Sequence, residues 1–522
     1  MTAILNIFRK NRTRTITLAS LAVFLLIAMQ GMETQDWIIT ILRGLAVAAV
    51  TFLVASGFSL IFGLMDVLNL AHGTLFMIGA YLGWTVYVRP DTVIDLATPL
   101  ALLAAGLVLA PLCEDLLARL HLSHAVARAL PWLALVLALI SLFLAFPRFP
   151  ITIWDVQVYE KSPVIFSAQL DVGQLKLPAP VQTNNGTLMI GIVGVLVGGA
   201  LFSLSMAAFA QQQRVVRAAN ARLPKTSVIA SVLLLVVGLG LLVVNDALTQ
   251  ALMDMGTTWR FLIAMVVATL AGAGLGALME TTLIRPLYSR PIYQLMLTLG
   301  LGVIGREVVI AIWGRTQITM SKPDLFAATG KGCPAQGVGD WLANGCSTIT
   351  FMSSRIRTYN EIFVILIGVL VLIVVWLILQ RSRIGMVIRA GVQDREMVEA
   401  LGTNVRRVFT FVFALGVGLA ALGGVLAGPF MGVSDGMGES LLLSALIALA
   451  IGGLTSFPGA AAGSLLVGLL QQFIVKYGQI GITLPFLEQP FKPTPPLVPA
   501  STVLLMVIIL LVMPQGLFGR KE

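Results

Sequence analysis

The chain has 522 residues, 58% of them hydrophobic and only 11% charged, with a mean hydropathy of +0.95. Soluble domains carry about 25% charged residues, so this composition excludes a soluble enzyme and points to a polytopic membrane protein. The net charge of +10 falls in short loops between apolar runs, where Lys and Arg mark the cytoplasmic side. It is a topology signal rather than a nucleic-acid footprint, and no nucleic acid is expected as a partner.

Arg9, Lys10, Arg12 and Arg14 precede an apolar run from Thr15 to Met29. No small-residue cleavage site follows, so this reads as an uncleaved first helix with a cytoplasmic N-terminus. A second span covers about 37–62. The next stretch, Met65 to Trp84, is the most unusual in the chain. Asp66, Asn69 and His72 interrupt apolar sequence, and Gly73, Gly79 and Gly83 follow as a small-residue face. Polar groups at membrane depth are costly unless buried in protein or lining a wet path. A polar helix break of this kind marks a substrate route in transporters. The alternative is a helix cap at the membrane surface, and both readings stand on the residues alone.

Spans follow at about 97–113 and 130–146, joined by a loop with His121 and His124 that offers too few ligands for a metal. Residues 147–187 are polar and proline-bearing, suited to short strands or a lid. Further spans are predicted at about 188–210, 227–246, 261–279 and 293–313. Gly272, Gly274 and Gly276 in the third of these offer close helix packing. Arg306 and Glu307 lie in the fourth. Adjacent residues on a helix point about 100° apart, so these two are not one simple pair. Arg306 is expected either in an inter-helix ion pair or interface anchor, or in a gate or substrate contact.

Residues 314–358 form a polar loop with Cys333 and Cys346, whose pairing is plausible in an oxidising compartment and open on sequence alone. After a span at about 360–380 comes the most charged stretch, including Arg389, Asp394, Glu399, Arg406 and Arg407. Its arginine excess places it in the cytoplasm. Val392 to Leu401 is expected to form one short amphipathic helix ending at Gly402, suited to docking a partner. Apolar runs at about 408–428, 440–456, 459–478 and 500–513 complete the chain, with a glycine-proline break at Gly452, Gly453 and Pro458. The prediction is an all-α, polytopic membrane helix bundle with about 14 transmembrane segments, interrupted helices, and both termini cytoplasmic. No phosphate-cradling Gly-x-x-x-x-Gly-Lys-Ser/Thr loop occurs, and no catalytic or metal-ligating group is expected.

Several stretches in the right order carry a family resemblance: GLMDVLNLAHGTLFMIGAYLG at 63–83, ETTLIRPLYSRP at 280–291, TLGLGVIGREVVIAIWG at 298–314, GMVIRAGVQDREMVEALGTNVRRV at 385–408, LGGVLAGP at 422–429 and ALAIGGLTSFPGAAAGSLLVG at 448–468. The closing PQGLFGR at 514–520 belongs with them. Together they resemble the permeases of ATP-binding-cassette importers for branched-chain amino acids, the LivH/LivM type, which include urea permeases. On that likeness, residues 1–89 hold the first membrane helices and 259–522 the permease core. Residues 90–258 read as an insertion longer than the family pattern. The resemblance implies a membrane subunit without its own cofactor, ATP being used by two ATPase subunits docked on the loop 381–407. It further implies a second permease, sister or identical, and an external binding protein that delivers the solute. Ala400 and Gly402 match the family's coupling-helix core. The expected cargo is a branched-chain or related amino acid, with urea or an amide as the alternative, and the expected location is a bacterial inner membrane. An ion-coupled transporter acting alone, or a structural subunit without a path of its own, remains an alternative from a different class. The residues expected along a solute path are Asn69, His72, Gly73, Arg306, Glu307, Gly452 and Gly453.

Overall fold

The computed structural model describes residues 20, 23, 32–119, 123–151, 165, 169, 184–212, 225–288, 290–352, 354–393, 395–400, 405–482 and 489–519. The predicted first span at 15–29, most of the proline-bearing loop 147–187 and the basic loop near 214–224 lie almost wholly outside them. Among the described residues, ten helices are long and apolar enough to cross a membrane, and Met437–Gly452 and Leu497–Val512 are shorter apolar helices. The chain divides into two compact units, one of residues 1–84, 163–171 and 257–522, the other of 85–162 and 172–256.

The larger unit is organised around helix α1 (Thr34–Met65). The most apolar eighteen-residue window of α1 is 83% buried. A helix apolar on all sides is buried in protein or lipid; α1 takes the first course. It continues into α2 (His72–Val88), although residues 85–88 of α2 fall in the smaller unit. The smaller unit holds α3 (Pro90–Leu107), α4 (Ala110–Arg119), α5 (His124–Ala145), α6 (Asn185–Gln212) and α7 (Lys225–Met253). The larger unit resumes with α8 (Thr257–Met279) and α9 (Pro291–Trp313), then α10 (Val338–Asn344) and the hairpin β1 (Thr348–Phe351)–β2 (Ser354–Arg357). It ends with α11 (Val364–Arg381), α12 (Arg383–Gln393), α13 (Arg395–Ala400), α14 (Val405–Met431), α15 (Met437–Gly452), α16 (Phe457–Ile480) and α17 (Leu497–Val512).

Around α1 the packing is antiparallel and close. Asp36 pairs with Lys476 at 2.6 Å, Gly44 meets Leu469, and Ser59 Oγ donates to Leu454 O at 3.1 Å, so α16 runs back along the whole of α1. Helix α14 does the same on another face, with the Gly57 and Gly416 backbones in contact and Leu53 beside Gly423. Small residues let backbones approach where lipid gives no hydrophobic drive to associate. The same device joins α8 to α14, where Gly272 meets Ala421 and Gly276 meets Val417. Gly274, expected in that contact, meets nothing, because a residue two positions along a helix points to another face. By contrast α9 has 11% of its window buried, leaving most of its surface for lipid or another chain.

Within the smaller unit hydroxyls hold the helices by cross-helix hydrogen bonds. Ser203 Oγ donates to Gly106 O at 2.9 Å, Ser231 Oγ to Ala105 O at 2.8 Å and Ser141 Oγ to Gly194 O at 2.8 Å. Arg89 and Asp91 form a buried ion pair at 3.0 Å, and Asn245 reaches Asp95 at 2.9 Å.

The loop 314–358 is an ordered small fold rather than a bare linker. Its hairpin pairs Thr348 with Arg357 and Phe351 with Ser354. Cys333 and Cys346 are joined by a disulfide, their Cα atoms 5.5 Å apart. Phe326, Trp341, Tyr359 and Phe363 stack beside it, and Tyr359 OH donates to Leu426 O at 3.0 Å, fastening this lobe to α14. The arginine-rich stretch is helical over α12 and α13, across which the helix expected at 392–401 falls, with residue 394 between them and residues 401–404 lying outside the described residues. The apolar positions Ile388 and Val398 are buried, one on each, so each helix seats its own face.

Candidate functional site

The break after α1 is re-entrant. Asp66 ends the helix in the left-handed region at φ 54°, a conformation Asp tolerates better than most residues. The chain then doubles back without helix over 66–69 and starts α2 at His72. His72 Nε2 donates to Val54 O at 3.1 Å, eleven positions before the end of α1. At 1.5 Å per residue that is about 16 Å back along α1. So α2 begins deep among the spans, with its free N–H groups and positive dipole end there.

Backbone exposed at this depth must find partners. Thr298 of α9, fully buried, supplies them: its Oγ1 accepts from Leu70 N at 3.2 Å and shares its proton between Leu68 O at 3.2 Å and Leu295 O of its own helix at 3.1 Å. Thr74 Oγ1 donates to Gly302 O at 3.2 Å and ties α2 to α9 again. Gly73 lets α2 touch the start of α15, since a Cβ there would overlap Gly438 O and meet Leu442 Cβ at 2.8 Å.

Three side-chain atoms here stay unmatched. Asn69 and His72 are fully buried, yet both amide atoms of Asn69 and His72 Nδ1 lack a hydrogen-bond partner. Because Val54 O can only accept, Nε2 carries a proton and Nδ1 of the neutral ring presents a lone pair. Each unmatched buried polar atom costs about 1–3 kcal/mol. Thr51 Oγ1, one turn before Val54 on α1, is buried and unmatched too. The arrangement can therefore accept and donate hydrogen bonds to a small polar solute inside the bundle.

Arg306 joins this site through α15. Its Nη2 reaches Asp435 at 2.9 Å and its Nη1 reaches Glu439 at 3.5 Å, on either side of the Gly438 that meets Gly73. The inter-helix ion pair is thus made, and the neighbouring Glu307 takes no part in it; Glu307 lies exposed on α9. Gly452 and Gly453 lie elsewhere, at the far end of α15, about 24 Å from its start by helix rise. Gly453 adopts φ 109°, and a Cβ on it would press on Gly519 N at 2.7 Å. Leu517 N and Phe518 N donate to Ile451 O and Gly452 O at 2.8 and 2.9 Å, so the tail closes this second break. The path residues thus divide into one group at the re-entrant loop and one at the tail.

On the face where α14 starts, Glu280 is fully buried in a π-helical turn after α8. It accepts from Arg285 Nη2 at 2.8 Å, Tyr288 OH at 2.5 Å and Thr410 Oγ1 at 2.7 Å. Thr410 lies in the second turn of α14, just past the arginine-rich stretch. Val67, Ala71, Met279, Ile284, Phe413 and Val417 share one buried cluster, which links this ion pair to the re-entrant loop. Of the expected docking residues, Arg389 is exposed on α12 and donates to Leu379 O, and Ala400 is exposed at the end of α13. Asp394, Gly402 and the Glu399 side chain lie outside what the structure describes.

Sequence reasoning missed Thr298, Asp435, Glu439 and the Glu280 network. A lone threonine in an apolar run carries no signal, but Glu280 and Arg285 at the edge of a span are charges that could have been paired by eye.

Comparison with known proteins now adds the family. No solved structure matches the chain. The high-affinity branched-chain amino acid permease protein LivH of Salmonella typhimurium is 27% identical over 284 residues, 53% of this chain and 82% of the relative. BraD of Pseudomonas aeruginosa, a permease protein of the same kind of system, is 31% identical over 183 residues, 33% of this chain and 51% of the relative. The fructose import permease protein FrcC of Rhizobium meliloti is 26% identical over 314 residues, 59% of this chain and 79% of the relative. A family model described as branched-chain amino acid transport system, permease component, matches residues 40–172 and 185–513. Spanning helices, a re-entrant loop and this match over most of the length agree: the chain is a multi-pass membrane protein of the branched-chain amino acid permease family.

Proposed function

We propose that the chain is the membrane-spanning subunit of an ATP-binding-cassette importer for a branched-chain or related amino acid. An external binding protein delivers the solute, and a second permease, sister or identical, completes the channel. Two ATPase subunits dock on 381–407 at the cytoplasmic face of a bacterial inner membrane, where both termini also lie. The observation that carries this reading is the re-entrant loop, whose buried Asn69 and His72 leave polar atoms unmatched.

In this reading α12 and α13 are gripped by the ATPases, and closure of those subunits pulls on α14. The Glu280–Arg285–Thr410 contact passes the pull to the end of α8, and the shared cluster passes it to the re-entrant loop. Asn69 and His72 Nδ1 then exchange partners with the passing solute. A two-state element biased from outside in this way is how packed bundles switch.

The test is uptake of labelled leucine by proteoliposomes holding the chain with its ATPases and binding protein, with fructose and urea as comparison solutes. ATP-dependent leucine uptake is expected, and Glu399→Ala or Gly402→Val should leave ATP hydrolysis running without uptake. Gradient-driven uptake by the isolated chain without ATP would sink the proposal.

A further inference from the structure

A cavity of about 430 Å³ opens in the larger unit, lined by none of the re-entrant loop's residues. Its size falls within the range of about 300–1,000 Å³ typical of small-molecule sites. Val50 and Leu441 line it. Val50 lies one turn from Val54, which holds His72, and Leu442, beside Leu441, touches the space at Gly73. The cavity and the re-entrant loop thus share the helices α1 and α15.

Its wall is largely apolar, with Arg43, Arg357 and Glu361 as its charged residues. Arg43, the one charge in the buried length of α1, meets Glu361 through Nε at 3.0 Å. That uses one edge of the guanidinium and leaves its terminal Nη donors for a ligand. Arg357 also lines the cavity, and its backbone N–H takes the second Glu361 oxygen at 2.8 Å. Lys322 stands within the field of both Arg357 and Glu361; burial and then Arg357 push its ammonium pKa down, against Glu361. Two arginines thus line the cavity against one carboxylate, so its wall carries excess positive charge. Asn360 lines the same wall with a buried Oδ1 that has no hydrogen-bond partner. Val47, Val50, Met431 and Leu441 make the apolar side.

We propose that this cavity is an acceptance site for an α-amino acid ahead of the re-entrant loop. The solute carboxylate lies against Arg43 and Arg357, its ammonium against Asn360 Oδ1 and Glu361, and its side chain against the valines and Leu441. This deepens the proposed function and rests on it. Bidentate recognition of a carboxylate is what arginine does best, and a solute without a carboxylate, such as urea or a sugar, gains no such pairing.

The experiment labels a cysteine placed in the cavity, Ser444→Cys in a Cys113→Ala background, in the full chain held in phosphatidylcholine nanodiscs. Anionic sulfonatoethyl methanethiosulfonate is expected to react about tenfold faster than the cationic trimethylammonium reagent, as a focused positive field requires. Arg43→Gln should abolish that preference. L-Leucine should slow the labelling, and isopentylamine, which lacks the carboxylate, should not. Equal rates for the two reagents, equal protection by isopentylamine, or protection only by added anionic lipid would each overturn the site. ATP-driven leucine uptake alongside unprotected labelling would remove the site and leave the proposed function standing. Protection by leucine without uptake would do the reverse.

Discussion

The chain breaks its helices twice near α1, and the two breaks are built in opposite ways. At Gly453–Ser456 the buried Gly453 backbone has partners in the chain itself, while Leu454 and Thr455 are exposed. Ser456 Oγ accepts from Gly459 N, Ser59 holds Leu454 O, and the tail covers the carbonyls of Ile451 and Gly452. At Asp66–Ala71 the backbone is also held, by Thr298, but the Asn69 and His72 side chains are left with unmatched atoms. The lesson is that a helix break in a bundle is not by itself a functional site. A break whose polar atoms are all answered is a joint; one that keeps buried polar atoms unanswered bears a cost of several kcal/mol at about 1–3 kcal/mol each, which a solute can relieve.

Three substitutions and one truncation sharpen or break this contrast, in order of expected effect on stability. Glu280→Ala removes the carboxylate beneath the re-entrant loop and strands Arg285. Breaking such a buried pair costs about 3–5 kcal/mol, read as a large fall in the thermal midpoint of the detergent-solubilised protein. A small fall would mean that the Glu280 network does not support the loop. Ending the chain at Pro514 removes buried Leu517 and two tail hydrogen bonds. We expect a loss of about 3 kcal/mol, with uptake per folded molecule unchanged; reduced uptake at equal folded yield would make the second break functional too. Thr298→Val keeps the shape and strips Leu68 O and Leu70 N of their partner, for about 2 kcal/mol, measurable by denaturant titration with hydrogen exchange at Leu70. Asn69→Ala removes two unmatched atoms and should be neutral or stabilising by up to about 1 kcal/mol. It should nevertheless slow uptake about tenfold, a factor equal to about 1.4 kcal/mol of transport barrier. Lowered stability with normal uptake would reverse the roles assigned to the two breaks.

Much of this was readable in the residues. The charge deficit and apolar runs set the class, Asp66, Asn69 and His72 marked the first break, and the arginine excess marked the stretch 381–407. What sequence could not show was depth. Nothing in Asp66–Ala71 says that the chain folds back on α1, because the partners that make this affordable, Val54 and Thr298, are ordinary members of apolar helices. Nor does periodicity pair Arg43 with Glu361 across 318 positions. The helix expected from 392 begins earlier, at Arg383, and the polar loop 314–358 hid a hairpin, since short elements held by tertiary contacts leave weak local patterns. The glycine triplet in α8 was over-read, because spacing fixes which two of the three share a face.

One hydroxyl, Thr298 Oγ1, serves both the carbonyl of Leu68 and the amide of Leu70. Its one proton also has Leu295 O of its own helix within reach at 3.1 Å, so the hydroxyl can drop the carbonyl and keep the amide, whereas a slip of α9 by one residue would release both. If the proposed solute path runs past this loop, α9 is the bolt that holds it in place.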